Sequence, residues 1–123
     1  MRDELLNRLK IALETNNLTD INETIKSLCN LNLYKDTAIC LENAINSGIK
    51  NNNMYFQLGT IYGQIGDYSK SEEYFKESIK ENNDWRAYIN LAMNYIHNGK
   101  IEKAIETLNE AAELPVIKNF VSN

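Results

Sequence analysis

His97 is the only histidine in the chain, and Cys29 and Cys40 are the only cysteines. An activated nucleophile needs a base within hydrogen-bond reach and a third group to orient that base. The sequence offers no His-Glu-x-x-His pair and no serine-centred elbow. The cysteine spacing fits neither a Cys-x-x-Cys redox pair nor a four-ligand zinc site. Glu72 and Glu73 form an acidic pair, but adjacent residues on a helix point apart, so they read as a solvated face. Gly59, Gly63 and Gly66 have the density of a phosphate loop, without the preceding strand or the Gly-Lys-Ser/Thr that such a loop requires. The expectation is a non-enzyme, with no catalytic residue, no metal ligand and no cofactor.

The composition of the whole chain narrows the class further. The 123 residues are 43% apolar, with one Pro and five Gly. That is enough apolar content for a folded chain, with few enforced helix breaks, and favours an all-α fold. The net charge is −4 and the basic residues are scattered. Phosphate binding needs a basic stripe, so no nucleic-acid partner is expected. No stretch approaches the ~18 apolar residues of a membrane span, so no membrane partner is expected. No charged start leads into an apolar run, so no signal peptide is expected. The matches to glycosylation acceptors at Asn17 and Asn22 then read as chance, and two reduced thiols fit a cytoplasmic protein.

One pattern is organised. Tyr55-x-x-Leu58-Gly59-x-x-Tyr62 is followed by Gly66-Asp67-Tyr68 and Ser71-x-x-x-Phe75. Shifted by 33 residues, from Tyr55 to Tyr88, it returns as Tyr88-x-x-Leu91-Ala92-x-x-Tyr95, Gly99-Lys100-Ile101 and Ala104-x-x-x-Leu108. The pattern resembles the tetratricopeptide repeat family, whose units run to roughly 34 residues. The resemblance implies a right-handed superhelical solenoid of antiparallel helix pairs. It is specific over 52–111 and weaker over 18–51.

Apolar periodicity predicts helices over 3–15, 19–31, 35–47, 52–65, 69–82, 85–98 and 101–113. Residues 1–17 read as a half-repeat or capping helix, because Leu9, Ala12 and Leu13 before Asn16-Asn17 parallel Phe75, Ser78 and Ile79 before Asn82-Asn83. Residues 18–51 read as a degenerate first repeat. A shift of 34 residues places Ile21 under Tyr55, Thr37 under Ser71 and Leu41 under Phe75, so apolar or small residues hold most sites, with Thr24 under Leu58 the exception. The second repeat is 52–84 and the third 85–114, with 115–123 a cap or a truncated next helix whose apolar face would be Val116, Ile117, Phe120 and Val121. Ser69 and Glu72 have capping-box spacing, and Asp84 is an N-cap candidate. Ser47-Gly48 is expected to end a helix. Gly59, inside a helix, is expected where a second helix backbone comes close. Tyr55, Tyr62, Tyr88 and Tyr95 are expected to pack between helices rather than to stack bases.

In the family it resembles, first helices line a concave groove, and the packing stripe leaves a second stripe free. In the second repeat that stripe holds Asn53, Phe56, Thr60 and Gly63, with Gln64 at its edge. The matching residues of the third repeat are Arg86, Ile89, Met93, Ile96 and His97. Those of the first are Thr19, Asn22, Lys26, Cys29 and Asn30. The groove grades from polar to apolar, so the expected partner is a protein or peptide segment with an apolar face. Some family members clamp acidic chaperone C-termini through Lys, Asn and Arg at set positions. The matching sites here hold Asn22 and Lys26, then Gln57, then Arg86 and Asn90, and Arg86 alone fits in type. The predicted function is a peptide-binding scaffold. The alternative is self-association through the solenoid ends, giving a homo-oligomer, and a helical-repeat RNA binder is the third reading.

Overall fold

The computed structural model describes residues 1–51 and 53–122. Position 52, expected to open a helix, and the side chain of Val121 lie outside the described residues. Among the described residues eight helices follow one another: α1 (Arg2–Glu14), α2 (Leu18–Asn30), α3 (Tyr34–Asn46), α4 (Met54–Ile65), α5 (Tyr68–Asn82), α6 (Trp85–His97), α7 (Ile101–Ala112) and α8 (Pro115–Ser122). Among the described residues there is no strand. The fold is an all-α solenoid of the expected class. Helix ends fall within two residues of those read from periodicity.

The turns show why the chain breaks where it does. Asn16, Asn32 and Asn83 take φ of 52°, 61° and 51°. Asparagine tolerates this left-handed conformation better than most residues, so it ends these helices much as glycine would. Asn17 then caps α2, its side chain accepting from the Asp20 N–H at 3.1 Å. Gly66, at φ 91°, turns the chain into α5. The α5 cap is Asp67, which accepts from the Lys70 N–H at 3.1 Å. The expected capping box on Ser69 and Glu72 is therefore corrected: Gly66 turns the chain two residues earlier, which leaves Ser69 inside the helix. Asp84 caps α6 as expected.

The chain divides into two compact units, Met1–Met54 and Tyr55 onward. In the first, α1 packs on α2 and α3. Leu9, Leu13, Ile21, Leu28 and Leu41 fill its core. Thr24 and Thr37 are fully buried there as well. Their hydroxyls donate to the carbonyls of Asp20 (2.6 Å) and Leu33 (2.7 Å) one turn back. Each threonine thus hides its polar atom within its own helix and offers its methyl group to the core. That is how a polar residue stands where the second repeat has Leu58.

In the second unit, Phe75 of α5 is buried in a cluster with Ala87, Leu91, Ala92 and Tyr95 of α6 and Ala104 of α7. A Cβ on Gly59 would lie 2.6 Å from the Phe75 ring. The glycine therefore makes room for an aromatic ring, not for a second backbone as expected. Beside it, the Ser71 hydroxyl donates to the Gly59 carbonyl at 2.5 Å. Tyr74 stacks on both Tyr55 and Tyr62, with ring centroids 6.2 and 5.7 Å apart. Tyr88 and Tyr95 are buried, so these tyrosines are packing residues. Burial pushes the Tyr95 phenol above its ordinary range, and the neighbouring Glu72 carboxylate adds to that. Ser78 is fully buried, and among the described residues its hydroxyl has no hydrogen-bond partner.

Two stability measurements test this packing. In an open helix Gly→Ala gains about 1 kcal/mol, whereas Gly59→Ala should lower the melting temperature, because overpacking costs about 1–3 kcal/mol. The double variant with Phe75→Leu should lose less than the sum of the two single losses. An additive pair would show that the ring contact does not set the requirement for glycine. Conversely, Ser78→Ala should raise stability, by about 1 kcal/mol, since an unpaired buried hydroxyl disappears. A fall in melting temperature would mean that the hydroxyl is satisfied.

Candidate protein-interaction groove

The core side of α6 carries Ala87, Tyr88, Leu91, Ala92 and Tyr95. Helical spacing puts Trp85, Ile89, Met93 and Ile96 on the opposite side. Trp85 is 45% exposed, Met93 50% and Ile96 49%, with Ile89 half-buried. One helix therefore has two apolar faces, and only one of them serves the fold.

Beside this ridge lies an open cavity of about 470 Å³ between α4 and α6, with Tyr68 at the start of α5 also in its wall. Thr60, Gln64, Met93 and His97 line it together with Gly63, Tyr68, Asn90 and Asn94. Five of the residues expected in the groove, Thr60, Gly63, Gln64, Met93 and His97, are thus brought together. Asn94 is held from behind, its Nδ2 donating to the Ser71 hydroxyl at 2.5 Å. Because Ser71 in turn donates to the Gly59 carbonyl, the carboxamide is tied to α4 and α5 as well as to its own helix. Gly63 leaves space here: a Cβ would stand 3.4 Å from both Asn94 Oδ1 and Ser71 Oγ. The Thr60 hydroxyl donates back to the Phe56 carbonyl at 3.0 Å. Asn90 and Asn94 provide carboxamides one turn apart, each able to donate and to accept.

The remaining expected residues lie elsewhere. Phe56 is half-buried, its ring tilted against Phe75 at 5.8 Å between centroids. The Arg86 guanidinium covers its other side at 4.3 Å from the ring centroid. Arg86 also holds Asp84 through Nε at 3.0 Å and a terminal nitrogen at 2.7 Å, while the Arg86 N–H donates to the same carboxylate. Asn53 precedes α4, and its N–H donates to the Asn51 side chain at 2.8 Å. Asn22, Lys26 and Asn30 form an exposed polar line on α2 in the first unit. Ile89 and Ile96 belong to the ridge rather than to the cavity wall. Trp85, Tyr68 and Asn94 were missed by pattern reading. Trp85 sits one turn before Ile89 and could have been found by extending the ridge, whereas Asn94 depends on a contact with Ser71 that spacing does not reveal.

A family model described as tetratricopeptide repeat matches residues 53–84 and 86–115. The chain belongs to the tetratricopeptide repeat family. No curated protein matches it. Among solved structures, a crystal structure of MamA protein aligns over 88% of this repeat chain and 63% of its own, with a TM-score of 0.68 and 18% identity. A second crystal structure of MamA aligns over 90% and 76%, with a TM-score of 0.66 and 19% identity. A MamA AMB-1 structure aligns over 90% and 61%, with a TM-score of 0.67 and 23% identity. Likeness at this identity shows the fold alone, and this chain spans less than two thirds of the first of those proteins. Membership of the family makes it a protein-interaction scaffold in general terms. Among the described residues no helix is long and apolar enough to cross a membrane, and no group of three or more His, Cys, Asp or Glu is placed to hold a metal.

Asp84 is the electrostatic hinge of the repeat's entry. Burial opposes its charge, but the Arg86 side-chain and backbone hydrogen bonds prevail and hold the carboxyl below its usual range. A carboxyl depressed in the folded state contributes stability above its unfolded pKa and loses it as pH falls through the folded value. Asp84→Asn keeps a competent cap, so near neutral pH it should cost little. Its stability should fall less steeply than the wild type's as pH drops below the ordinary aspartate range. Parallel acid-denaturation curves would show that the charge of Asp84 contributes nothing. Asp84→Ala should cost about 1 kcal/mol at neutral pH through loss of the cap.

Proposed function

We propose that this chain is a non-catalytic scaffold that holds an extended or helical segment of a partner protein along α6 and in the cavity between α4 and α6. The exposed ridge of Trp85, Ile89, Met93 and Ile96 carries this reading, because it is apolar surface that the fold does not use. Met93 stands at the border of ridge and cavity. It can present a polarizable, adaptable side chain to apolar residues of the partner. Asn90, Asn94 and Gln64 match the donor and acceptor pattern of a peptide main chain, and His97 and Tyr68 add polar edges. The partner is thus a protein segment with an apolar face and an accessible backbone, not nucleic acid or a membrane. The helix pairs α2–α3, α4–α5 and α6–α7 are assigned as repeats over 18–51, 52–84 and 85–114, with α1 and α8 flanking them. In the first unit, Asn22, Lys26 and Asn30 on α2 are assigned as a polar contact line for a protein segment in their own right. The two free thiols support a reducing, cytoplasmic setting.

The test is selection from a displayed peptide library, followed by titration of the selected peptides. Burial of a Met or Leu-sized side chain is worth about 1.5–3 kcal/mol, so Met93→Glu should weaken binding at least tenfold. Helicity and melting temperature should stay near wild type, because Met93 is half-exposed. Asn90→Ala should also weaken binding, while Ile39→Glu, exposed on α3, should not. Peptides whose affinity ignores both groove variants would overturn the proposal. Unfolding of Met93→Glu would show that this side chain belongs to the core.

A further inference from the structure

The α7–α8 end differs from the rest of the second unit in which side chains it buries. On α7 the buried residues are small: Ala104, Thr107 and Ala111. The large ones lie bare, with Ile101 51% exposed, Ile105 53% and Leu108 40%. These three recur at helical spacing and form one uncharged stripe. On α8, Val116 and Phe120, one turn apart, are 56% and 82% exposed. Together they leave on the order of 500 Å² of apolar surface in contact with water, as much as the largest patch on a typical monomer.

The chain contains its own template for what such a stripe requires. Leu108 holds the place that Phe75 holds one repeat earlier. Phe75 is 1% exposed because α6 lays Ala87, Leu91 and Ala92 against it. Among the described residues α7 packs on α6 and on the eight-residue α8, and Leu108 stays 40% exposed. Head-to-tail stacking does not supply the cover, because α1 turns Glu4, Asn7, Glu14 and a lone Ile11 to solvent. The three stripe residues carry no charge, so the stripe can instead meet its own copy, with the exposed Glu102 and Glu106 kept to the rim.

We infer that the α7–α8 end is a self-association surface, at which two copies of this chain pair about a two-fold axis. Antiparallel α7 helices would cross near Ile105, bringing Ile101 of each copy towards Leu108 of the other, with Phe120 closing the rim. A two-fold interface uses each patch twice, so the buried area would reach ~1,000 Å², the threshold for a specific interface. The α6 ridge and the α4–α6 cavity are not consumed, so each copy keeps its partner site, and the inference stands or falls independently of that site.

Sedimentation equilibrium of the full chain over a micromolar concentration series should give twice the 14.2 kDa chain mass. Ile105→Lys should weaken the dimer at least tenfold with the far-UV circular dichroism unchanged. Ile11→Lys, at the other end, should leave it intact. Ile105→Cys tests the symmetry, since only a two-fold contact brings position 105 next to itself. It should form an intermolecular disulfide on mild oxidation, and Ile11→Cys should not. A chain that stays monomeric throughout the series overturns the inference. So does a dimer indifferent to Ile105→Lys, or an open-ended ladder of oligomers, which would indicate heterologous stacking or another surface.

Discussion

The second unit depends on the fit of one aromatic ring against one missing side chain. Phe75 can approach α4 because position 59 has no Cβ, and the same ring forms the floor on which α6 is laid. Ser71, one turn earlier on α5, uses the same proximity to reach the Gly59 carbonyl. Asn94 of α6 then reaches Ser71. A steric vacancy on α4 therefore fixes three helices at once, by packing on one side and by a chain of hydrogen bonds on the other. Such a chain is worth having only when every member is satisfied, and here each buried donor in it has an acceptor. The groove-side carboxamide of Asn94 inherits its orientation from this arrangement. Shape at the core and chemistry at the groove are thus coupled through two side chains.

Much of this was legible in the residue pattern, for a physical reason. Helical periodicity and repeat spacing are properties of single helices and of pairs of adjacent ones, and sequence records them directly. The helix order, the packing role of Tyr88 and Tyr95 and the cap at Asp84 could all be read that way. What was misread depended on side-chain conformations between helices. Gly59 was correctly marked as a point of close approach, but the neighbour is the Phe75 ring. Ser69 had the right spacing for a capping box, yet Asp67 lies where the chain enters from Gly66. Arg86, a groove residue by its spacing, also holds Asp84 and stacks on Phe56, contacts that spacing does not reveal. Nothing in spacing distinguishes an arginine that waits for a carboxylate ligand from one already holding its own.

The degenerate repeat shows a second limit of pattern reading. Thr24 interrupts an apolar register, but its hydroxyl turns back to Asp20 and only its methyl enters the core. The family signature is therefore sparser in the first unit than the packing is. Local hydrogen bonding makes β-branched polar residues acceptable in a helix-to-helix interface, and a motif defined by side-chain type overlooks this.

The helix pairs in extensive contact join elements that are neighbours or next-but-one neighbours along the chain, such as α1 with α2 and α3, and α6 with α5 and α7. Sequence separation between contacting residues is therefore small, and little loop-closure entropy is lost before contacts begin to form. Chains of this kind fold on the microsecond-to-millisecond scale. A structure assembled from near neighbours also opens from its least-covered end, because the terminal helix has only one partner to leave. Among the described residues α8 packs on α7, and its backbone amides would exchange with solvent long before those of α6, which is clasped by α5 and α7.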